Sequence, residues 1–191
     1  MATTAYEEIE ILARKARLGD RNAFSRIVQL MMSKVTALTY RMTGDADAAV
    51  DLAQDSFVAA WEKLPRFRGE ARFTSWLYQI AVNKCLNYLN LASTRRNRSL
   101  GDSDAGVFES TSTTHDPVRA LHVKQLREDI LEFMNSLPEM QRAAFELRFY
   151  QGMSFAEIAR QLGKAEGTVK TNYRQAVLKL RQLAGEKGWA S

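Results

Sequence analysis

The polar residues of one short segment near the end of the chain have the types and spacing needed to bind nucleic acid. Between Thr168 and Gln175, hydroxyl, ammonium, guanidinium and amide groups lie opposite an apolar stripe that includes Val169 and Tyr173. Groups of these types bond to the base edges and phosphates of duplex DNA. The DNA-binding residues predicted in this segment are Thr168, Lys170, Thr171, Arg174 and Gln175.

Two helices and a tight turn would position these groups. Ser154 and Glu157 have the spacing of a capping box, so a helix is predicted to begin directly after the serine. Gly163 ends that helix at a position suited to a left-handed backbone. Ala159, Gly163 and Val169 stand where a small, a turn-forming and a branched residue let two helices cross closely, as in a helix-turn-helix. An ordinary helical hairpin with a solvated polar face is the alternative, and the basic outer face favours DNA binding.

A second set of polar groups occupies a basic stretch in the first half of the chain. Residues 66–98 hold seven Lys or Arg and one acid, Glu70, and a helix is predicted over residues 74–93. Amides can read base edges, and nearby aromatic rings can stack on unpaired bases. A polar helix face with incidental amides is the alternative. The amides on one side of this helix are Gln79, Asn83, Asn87 and Asn90.

The segment before the basic stretch is acidic. Residues 45–62 carry five acids before the first base, Lys63, on a predicted helix that ends before Pro65. Part of this charge is ordinary helix chemistry, because acids near a helix start interact favourably with the dipole. The helical scatter of the acids and the lack of a turn glycine argue against a calcium site. The residues predicted to face the core are Val50, Ala53, Phe57, Val58 and Trp61.

The sequence contains no arrangement of residues typical of catalysis. His115, His122 and the single cysteine, Cys85, lack the spacing of metal ligands. No nucleophile-elbow serine and no phosphate-binding glycine loop is found. We therefore expect a protein that is not an enzyme and that needs no cofactor or metal. Cys85 lies among apolar neighbours on a predicted helix, so a buried thiol is expected.

Composition bounds the class of protein. The 191 residues are 46% hydrophobic and 26% charged, with a net charge of +5, and period-two runs of β-branched residues are absent. We predict an all-α fold, and the basic excess suits a nucleic-acid partner. The sequence has no signal-peptide pattern and no long apolar run. We therefore expect no membrane insertion and a cytoplasmic location.

A change of composition divides the chain. Residues 96–116 are rich in Ser, Thr, Asp and Gly and show no helical periodicity, which predicts a flexible linker. The two small helical domains are therefore predicted at residues 1–95 and 117–191. In the first of them, Asp20 is predicted to cap a helix over residues 21–42.

Several segments, taken in order, resemble one known family. The segment 51–61, DLAQDSFVAAW, resembles the D-x-x-Q-[ED]-x-F-x-x-x-W signature of bacterial extracytoplasmic-function (ECF) sigma factors. The other segments that resemble this family are FRG at 67–69, FTSWL at 73–77, IAVN at 80–83, LP at 137–138 and GTVK at 167–170. The resemblance implies a sigma-2 helical bundle and a sigma-4 helix-turn-helix domain joined by the linker.

The resemblance also implies the partners. A sigma factor binds core RNA polymerase and directs it to promoter DNA, and an anti-sigma factor commonly controls it. Sigma-2 would dock on the clamp helices of the largest catalytic subunit, and the polymerase flap would be a further contact. By match to the motif, the docking residues are Asp51, Gln54, Asp55 and Phe57.

Two promoter elements would be recognised separately. The loop and helix after Phe67 would open the −10 element and capture a flipped base, and sigma-4 would read the −35 element as duplex. The residues implied at −10 are Phe67, Arg68, Arg72, Phe73, Trp76, Gln79, Asn83 and Asn87, and those implied at −35 are the five predicted above. The rival hypothesis is a stand-alone helix-turn-helix transcriptional regulator. Against it, the first half of the chain offers an acidic and a basic helix instead of a dimerisation or ligand-binding domain.

Overall fold

Eight α-helices make up most of the part of the chain that the computed structural model describes, residues 5–96 and 117–189. A 3₁₀ turn, Leu64–Arg66, follows the third helix, and a π-helical turn, Glu146–Tyr150, follows the sixth. No strand occurs in these two ranges, so the predicted all-α fold is confirmed. The helices are α1 Ala5–Arg17, α2 Arg21–Thr43, α3 Ala46–Lys63, α4 Phe73–Arg96, α5 Pro117–Ser136, α6 Glu139–Phe145, α7 Phe155–Leu162 and α8 Glu166–Glu186.

Local caps set several helix boundaries as predicted. Asp20 Oδ1 accepts a hydrogen bond from the Ala23 N–H at 3.0 Å and so caps α2. The Ser154 hydroxyl accepts from the Glu157 N–H at 3.2 Å, and the Glu157 carboxylate accepts from the Ser154 N–H at 2.8 Å. This is the predicted capping box at the start of α7. Gly163 ends α7 with a φ of 61°, in the left-handed region.

The chain divides into two compact units. The first comprises Met1–Tyr40 and Asp47–Ser99, and the second comprises Arg41–Ala46 and Leu100–Ser191. The predicted linker, residues 96–116, lies outside the described residues apart from Arg96, which ends α4. Within the described residues, no helix is both long enough and apolar enough to cross a membrane.

The first unit is a bundle of α1 to α4 around an apolar core. α1 packs against the 3₁₀ turn and against α4. The Phe24 ring on α2 lies 5.0 Å from the Trp61 ring on α3, centroid to centroid, and the buried hydroxyl of Thr39 donates to the Ala49 carbonyl at 2.7 Å. Cys85 is buried, as predicted. Other fully buried side chains include Ile27, Val35, Leu38, Leu64, Phe73, Leu77 and Ala81.

The core of the second unit forms where α5, α6 and α8 meet. Phe145 on α6 lies 5.1 Å from the Phe133 ring on α5 and 6.0 Å from the Tyr173 ring on α8. Aromatic rings at these separations add packing energy beyond the area that they bury. The buried cluster is Phe133, Met134, Leu137, Phe145 and Ala176, with Ile130, Tyr173, Val177, Leu180 and Leu183 packed against it.

An ion pair ties the end of α8 to α5. Lys187 Nζ lies 2.8 Å from Asp129 Oδ1 and 3.4 Å from Glu132 Oε2. The hydrogen bond from Lys187 holds the pKa of Asp129 below its usual value, against the opposing effect of desolvation. The same hydrogen bond raises the pKa of Lys187. The pair therefore stabilises the folded unit when both groups are charged.

Candidate nucleic-acid interface

The first half of α8 presents a polar face to solvent. Its five predicted DNA-binding residues are all exposed. Val169 and Ala176 on the same helix are 1% and 0% exposed, so the apolar stripe faces the core as expected. The structure therefore brings together Thr168, Lys170, Thr171, Arg174 and Gln175 on one accessible surface, and their binding to DNA stays a prediction.

Local bonds hold two of these side chains. Lys170 Nζ lies 2.6 Å from Glu166 Oε1, one turn earlier, and both side chains are about half exposed. An exposed pair of this kind contributes little and can exchange its partner for a phosphate. The Thr171 hydroxyl donates to the Gly167 carbonyl at 2.9 Å, which leaves its oxygen able to accept a bond from a base or a phosphate-bound water.

α7 fixes the position of this face. The Phe155 ring meets the Tyr173 ring edge-on, with centroids 5.5 Å apart. Ile158 and Val169 are buried, one on each helix. The N–H of Lys164 donates to the Ala159 carbonyl at 3.0 Å, and this bond holds the turn that directly follows α7. These contacts give the predicted helix-turn-helix arrangement, in which α8 begins at Glu166.

Three aromatic rings lie together where the loop 67–72 meets α4. Phe67 lies 4.8 Å from Trp76 and 6.1 Å from Phe73, and Phe73 lies 5.6 Å from Trp76. Phe67 and Trp76 are half-buried, whereas Phe73 is 0% exposed. The Phe73 side chain therefore lies in the core beneath the other two rings, and its predicted contact with DNA stays a prediction.

The predicted −10 residues on α4 form a ridge. Trp76, Gln79, Asn83 and Asn87 follow one another at spacings of three or four residues, which places them on one side of the helix. Gln79 and Asn83 are half-buried and Asn87 is exposed. Two cationic residues, Arg68 and Arg72, are exposed in the loop before the helix. This surface combines aromatic rings, amides and cations.

Acidic residues form the exposed face of α3. Asp51, Gln54 and Asp55 are exposed, whereas Phe57 is 4% exposed. The burial of Phe57 confirms its predicted place in the core, and its predicted part in docking stays a prediction. Val58 was expected in the core and is instead 58% exposed. Its spacing of i+3 and i+4 from Asp55 and Gln54 puts it on the acidic face, a signal present in the sequence.

An ion pair joins the acidic and basic surfaces of the first unit. Lys84 Nζ on α4 lies 3.3 Å from Asp55 Oδ2 on α3, and the side chains are 31% and 66% exposed. Pairs this exposed are worth at most about 1 kcal/mol. Asp55 therefore remains able to exchange Lys84 for a cationic partner.

Two contacts made by α1 were not predicted from the sequence. Glu10 Oε1 accepts a hydrogen bond from the Phe73 N–H at 2.7 Å. Arg17 Nη1 donates to the Phe67 carbonyl at 3.2 Å. One bond ends on the backbone of Phe67 in the loop and the other on the backbone of Phe73, the first residue of α4, and both residues belong to the ring cluster. The available signal was indirect, because Arg72 precedes α4 where a capping side chain is usual.

Both halves of the chain match known families. Residues 27–95 match the family described as Sigma-70 region 2, and residues 127–180 match Sigma-70, region 4. The chain is 33% identical over 175 residues to the RNA polymerase sigma-H factor of Pseudomonas aeruginosa, covering 89% of this chain and 90% of that protein. It is 34% identical over 171 residues to the ECF RNA polymerase sigma-E factor of Salmonella typhimurium, covering 87% and 89%.

Solved structures share the fold. The sigma factor RpoE of Bartonella quintana, solved with the anti-sigma factor NepR, matches with a TM-score of 0.68 at 23% identity over 85% of this chain and 96% of that one. CnrH, solved with the cytosolic domain of CnrY, gives a TM-score of 0.64 at 23% identity over 96% and 99%. With both sigma regions present in order and the ECF signature on α3, the chain belongs to the ECF group of sigma-70 RNA polymerase sigma factors.

Proposed function

We propose that this sigma factor directs RNA polymerase to a specific set of promoters through three surfaces, on α3, on α4 with its preceding loop, and on α8. The observation that carries the proposal is the separation of chemistry among exposed faces. Acids lie on α3, rings and amides with cations on α4 and its loop, and hydroxyl, amide and cationic groups on α8. Each face suits a different partner.

The α3 face is the proposed docking surface for the clamp helices of core polymerase. Asp51, Gln54 and Asp55 are exposed there, and Val58 adds an apolar contact within the same face. Carboxylates pair with a basic partner, and complementary charge speeds association and fixes orientation. Phe57 contributes by packing beneath the face.

The loop 67–72 and the α4 ridge form the proposed site of strand opening. Unpaired bases stack on aromatic rings, and each stacked base contributes about 1–3 kcal/mol. Phe67 and Trp76 offer partly accessible rings, and Arg68 and Arg72 supply charge for the strand's phosphates. Asn83 is placed on the ridge where an amide can bond the edge of a flipped base.

The α8 face is the proposed reader of the −35 duplex. In helix-turn-helix proteins the second helix lies in the major groove with its N-terminal residues on base edges. Thr168 to Gln175 occupy that part of α8. Arg174 and Gln175 have the groups that bond guanine and adenine edges in the major groove.

We also infer an anti-sigma factor as the controlling partner and the polymerase flap as a contact of the second unit. Support for the first comes from RpoE and CnrH, which were solved in complex with NepR and CnrY. The proposed site of action is the cytoplasm, where polymerase and chromosomal DNA meet.

Transcription in vitro tests the proposal. The purified chain is mixed with core polymerase and genomic promoter fragments, and transcript start sites are mapped. We expect discrete start sites that require the chain, with a shared pair of sequence elements upstream. Tight sequence-specific binding to duplex DNA without core, together with no initiation when core is present, would instead identify a stand-alone regulator.

A further inference from the structure

α1 is bonded to both ends of the loop that precedes α4. At one end, Arg17 Nη1 donates to the Phe67 carbonyl at 3.2 Å. At the other, Glu10 Oε1 accepts from the Phe73 N–H at 2.7 Å. The acceptor and donor are seven residues apart on α1, about two turns of helix. They hold two backbone positions six residues apart, Phe67 at the start of the loop and Phe73 at the start of α4.

The start of α4 needs an external cap. Arg72 stands at the capping position, and its carbonyl accepts the first helical bond from the Trp76 N–H at 3.1 Å. A guanidinium has only donors, so Arg72 cannot satisfy the first N–H groups of the helix. The Glu10 carboxylate satisfies one of them with a charge-assisted bond, in a position that the helix dipole also favours. The first turn of α4, with Phe73 and Trp76, is thereby fixed.

The other end of the loop is fixed through Phe67. Its N–H donates to the Leu64 carbonyl at 3.0 Å and its carbonyl accepts from Arg17. With both backbone groups bonded, the ring is held against Trp76, centroids 4.8 Å apart. Between the two fixed ends, Gly69 has a φ of +74° and open space around it. The loop is therefore anchored at its ends and exposed in its middle.

We propose that Glu10 and Arg17 are positioning residues for capture of the −10 strand. They act through the loop backbone and set the Phe67–Trp76 ring pair and the first turn of α4 before DNA arrives. The inference rests on the proposed role of this loop in strand capture. A surface ordered in advance binds more tightly, because less conformational entropy is lost on binding.

The test uses holoenzyme assembled from core polymerase and the full chain. A fluorescent single strand carrying the −10 element of a promoter mapped with the wild-type protein serves as probe. Binding of the chain to core is measured separately. We expect Glu10→Ala to weaken binding of the strand about tenfold, the size of effect typical of a lost hydrogen bond to a charged group. We expect Arg17→Gln to weaken it about threefold, because that bond is exposed. Core affinity stays at the wild-type value in both.

A conservative variant separates positioning from charge. Glu10→Gln keeps an oxygen that accepts from the Phe73 N–H, so it should bind the strand within about twofold of wild type. Glu8→Gln and Arg14→Gln make the same charge changes on α1 and leave the bonds to Phe73 and Phe67 in place. These two controls should match wild type.

Each outcome bears on the proposal. Wild-type strand binding by Glu10→Ala and Arg17→Gln overturns it, as does an equal loss in the Glu8 and Arg14 controls or in Glu10→Gln. If circular dichroism shows that Glu10→Ala is unfolded, the exposed Arg17→Gln variant decides alone. A wild-type holoenzyme that neither binds the strand nor initiates defeats the proposed function itself, which is a different result from variants that behave as wild type.

Discussion

At the scale of single residues, the charge at Asp51 gives the clearest test of docking. Asp51 is exposed on α3, and unlike Asp55 it is free of the Lys84 ion pair. We expect Asp51→Arg to lower affinity for core polymerase by at least about tenfold, because like charges brought together at an interface cost several kcal/mol. Fluorescence titration with core measures this. Glu128→Arg makes the same charge change at an exposed site in the second unit, and an equal loss there would contradict docking through α3.

Arg174 tests duplex reading. Its side chain is exposed on α8, where a guanidinium can bond two acceptors of a guanine. We expect Arg174→Ala to weaken the free energy of binding to the preferred −35 sequence by about 1–3 kcal/mol. The same variant should discriminate less among the bases at one base pair of that sequence. The comparison is Lys170→Ala, which removes a side chain of the type that contacts phosphates. This variant should lower the affinity for all DNA sequences alike and make that affinity less dependent on salt. Titration of a set of single-base −35 variants distinguishes the two, and unchanged preference in Arg174→Ala would refute its assignment.

The residue types of a signature do not tell which side chains are accessible. Phe57 and Phe73 belong to motifs that indicate binding, yet both are buried, and they support the surfaces from beneath. Val58 is hydrophobic and was expected inside, but it is exposed. The exposure of the five predicted DNA-binding residues on α8 was predictable, because a helical projection puts them on the side opposite Val169 and Ala176. On α3 the spacing of Val58 from Asp55 and Gln54 signals its exposed side, whereas in the loop 67–72 and at Phe73 only the packing decides which side chains are covered.

At the scale of elements, boundaries were predictable wherever the cap is local. Asp20, Ser154 with Glu157, and Gly163 each act within three or four residues of the helix end that they fix. The start of α4 was placed within one residue, but its cap could not be foreseen, because Glu10 is 63 residues away in sequence. A hydrogen bond of this kind forms only because α1 packs against α4, so the spacing of residues near Phe73 does not predict it.

The capping box of α7 should contribute measurably to stability. Ser154→Ala removes the oxygen that accepts from the Glu157 N–H. We expect a loss of about 1 kcal/mol in the free energy of unfolding of the second unit, measured by urea titration. Ser154→Thr retains the hydroxyl and should stay close to wild type. Equal losses in the two variants would show that the cap is not the cause.

The α5–α8 ion pair predicts a pH dependence. The pKa of Asp129 is lowered by the hydrogen bond from Lys187, so the unfolded state takes up a proton at a higher pH than the folded state does. The stabilisation is present at neutral pH and is lost as pH falls below about 4 and then through the lowered pKa. The backbone amides of α8 should therefore be better protected from exchange in wild type than in Asp129→Asn at neutral pH. This difference in protection should become smaller as the pH falls.

A matched control is available for this pH effect. Glu132 lies farther from Lys187, at 3.4 Å, and its side chain is 68% exposed. Glu132→Gln should change protection of α8 much less than Asp129→Asn at neutral pH. If the difference in protection between wild type and Asp129→Asn stays constant from neutral to acidic pH, the pH dependence does not come from the Asp129 carboxylate.

At the scale of the whole molecule, the two surfaces proposed to bind DNA belong to separate compact units of one chain. A single helix-turn-helix with five predicted contact residues offers a small interface. Core polymerase, by holding both units, would make the second contact intramolecular. We expect a promoter duplex to bind the holoenzyme at least about 100-fold more tightly than the free chain. Competition binding at one fixed salt concentration measures this, and equal affinities would contradict the two-surface mechanism.

The burial of Cys85 makes the chain its own kinetic probe. It is the one cysteine in the sequence, it is 0% exposed, and it lies on α4 between Asn83 and Asn87. A thiol reagent can reach it only when that part of the bundle opens, so the labelling rate reports the frequency of opening. The polymerase thiols are blocked before assembly, and the rate of Cys85 labelling is followed by mass spectrometry. Comparing this rate with and without promoter DNA would show whether α4 opens more often while the promoter strands separate, and no added dye or mutation is needed.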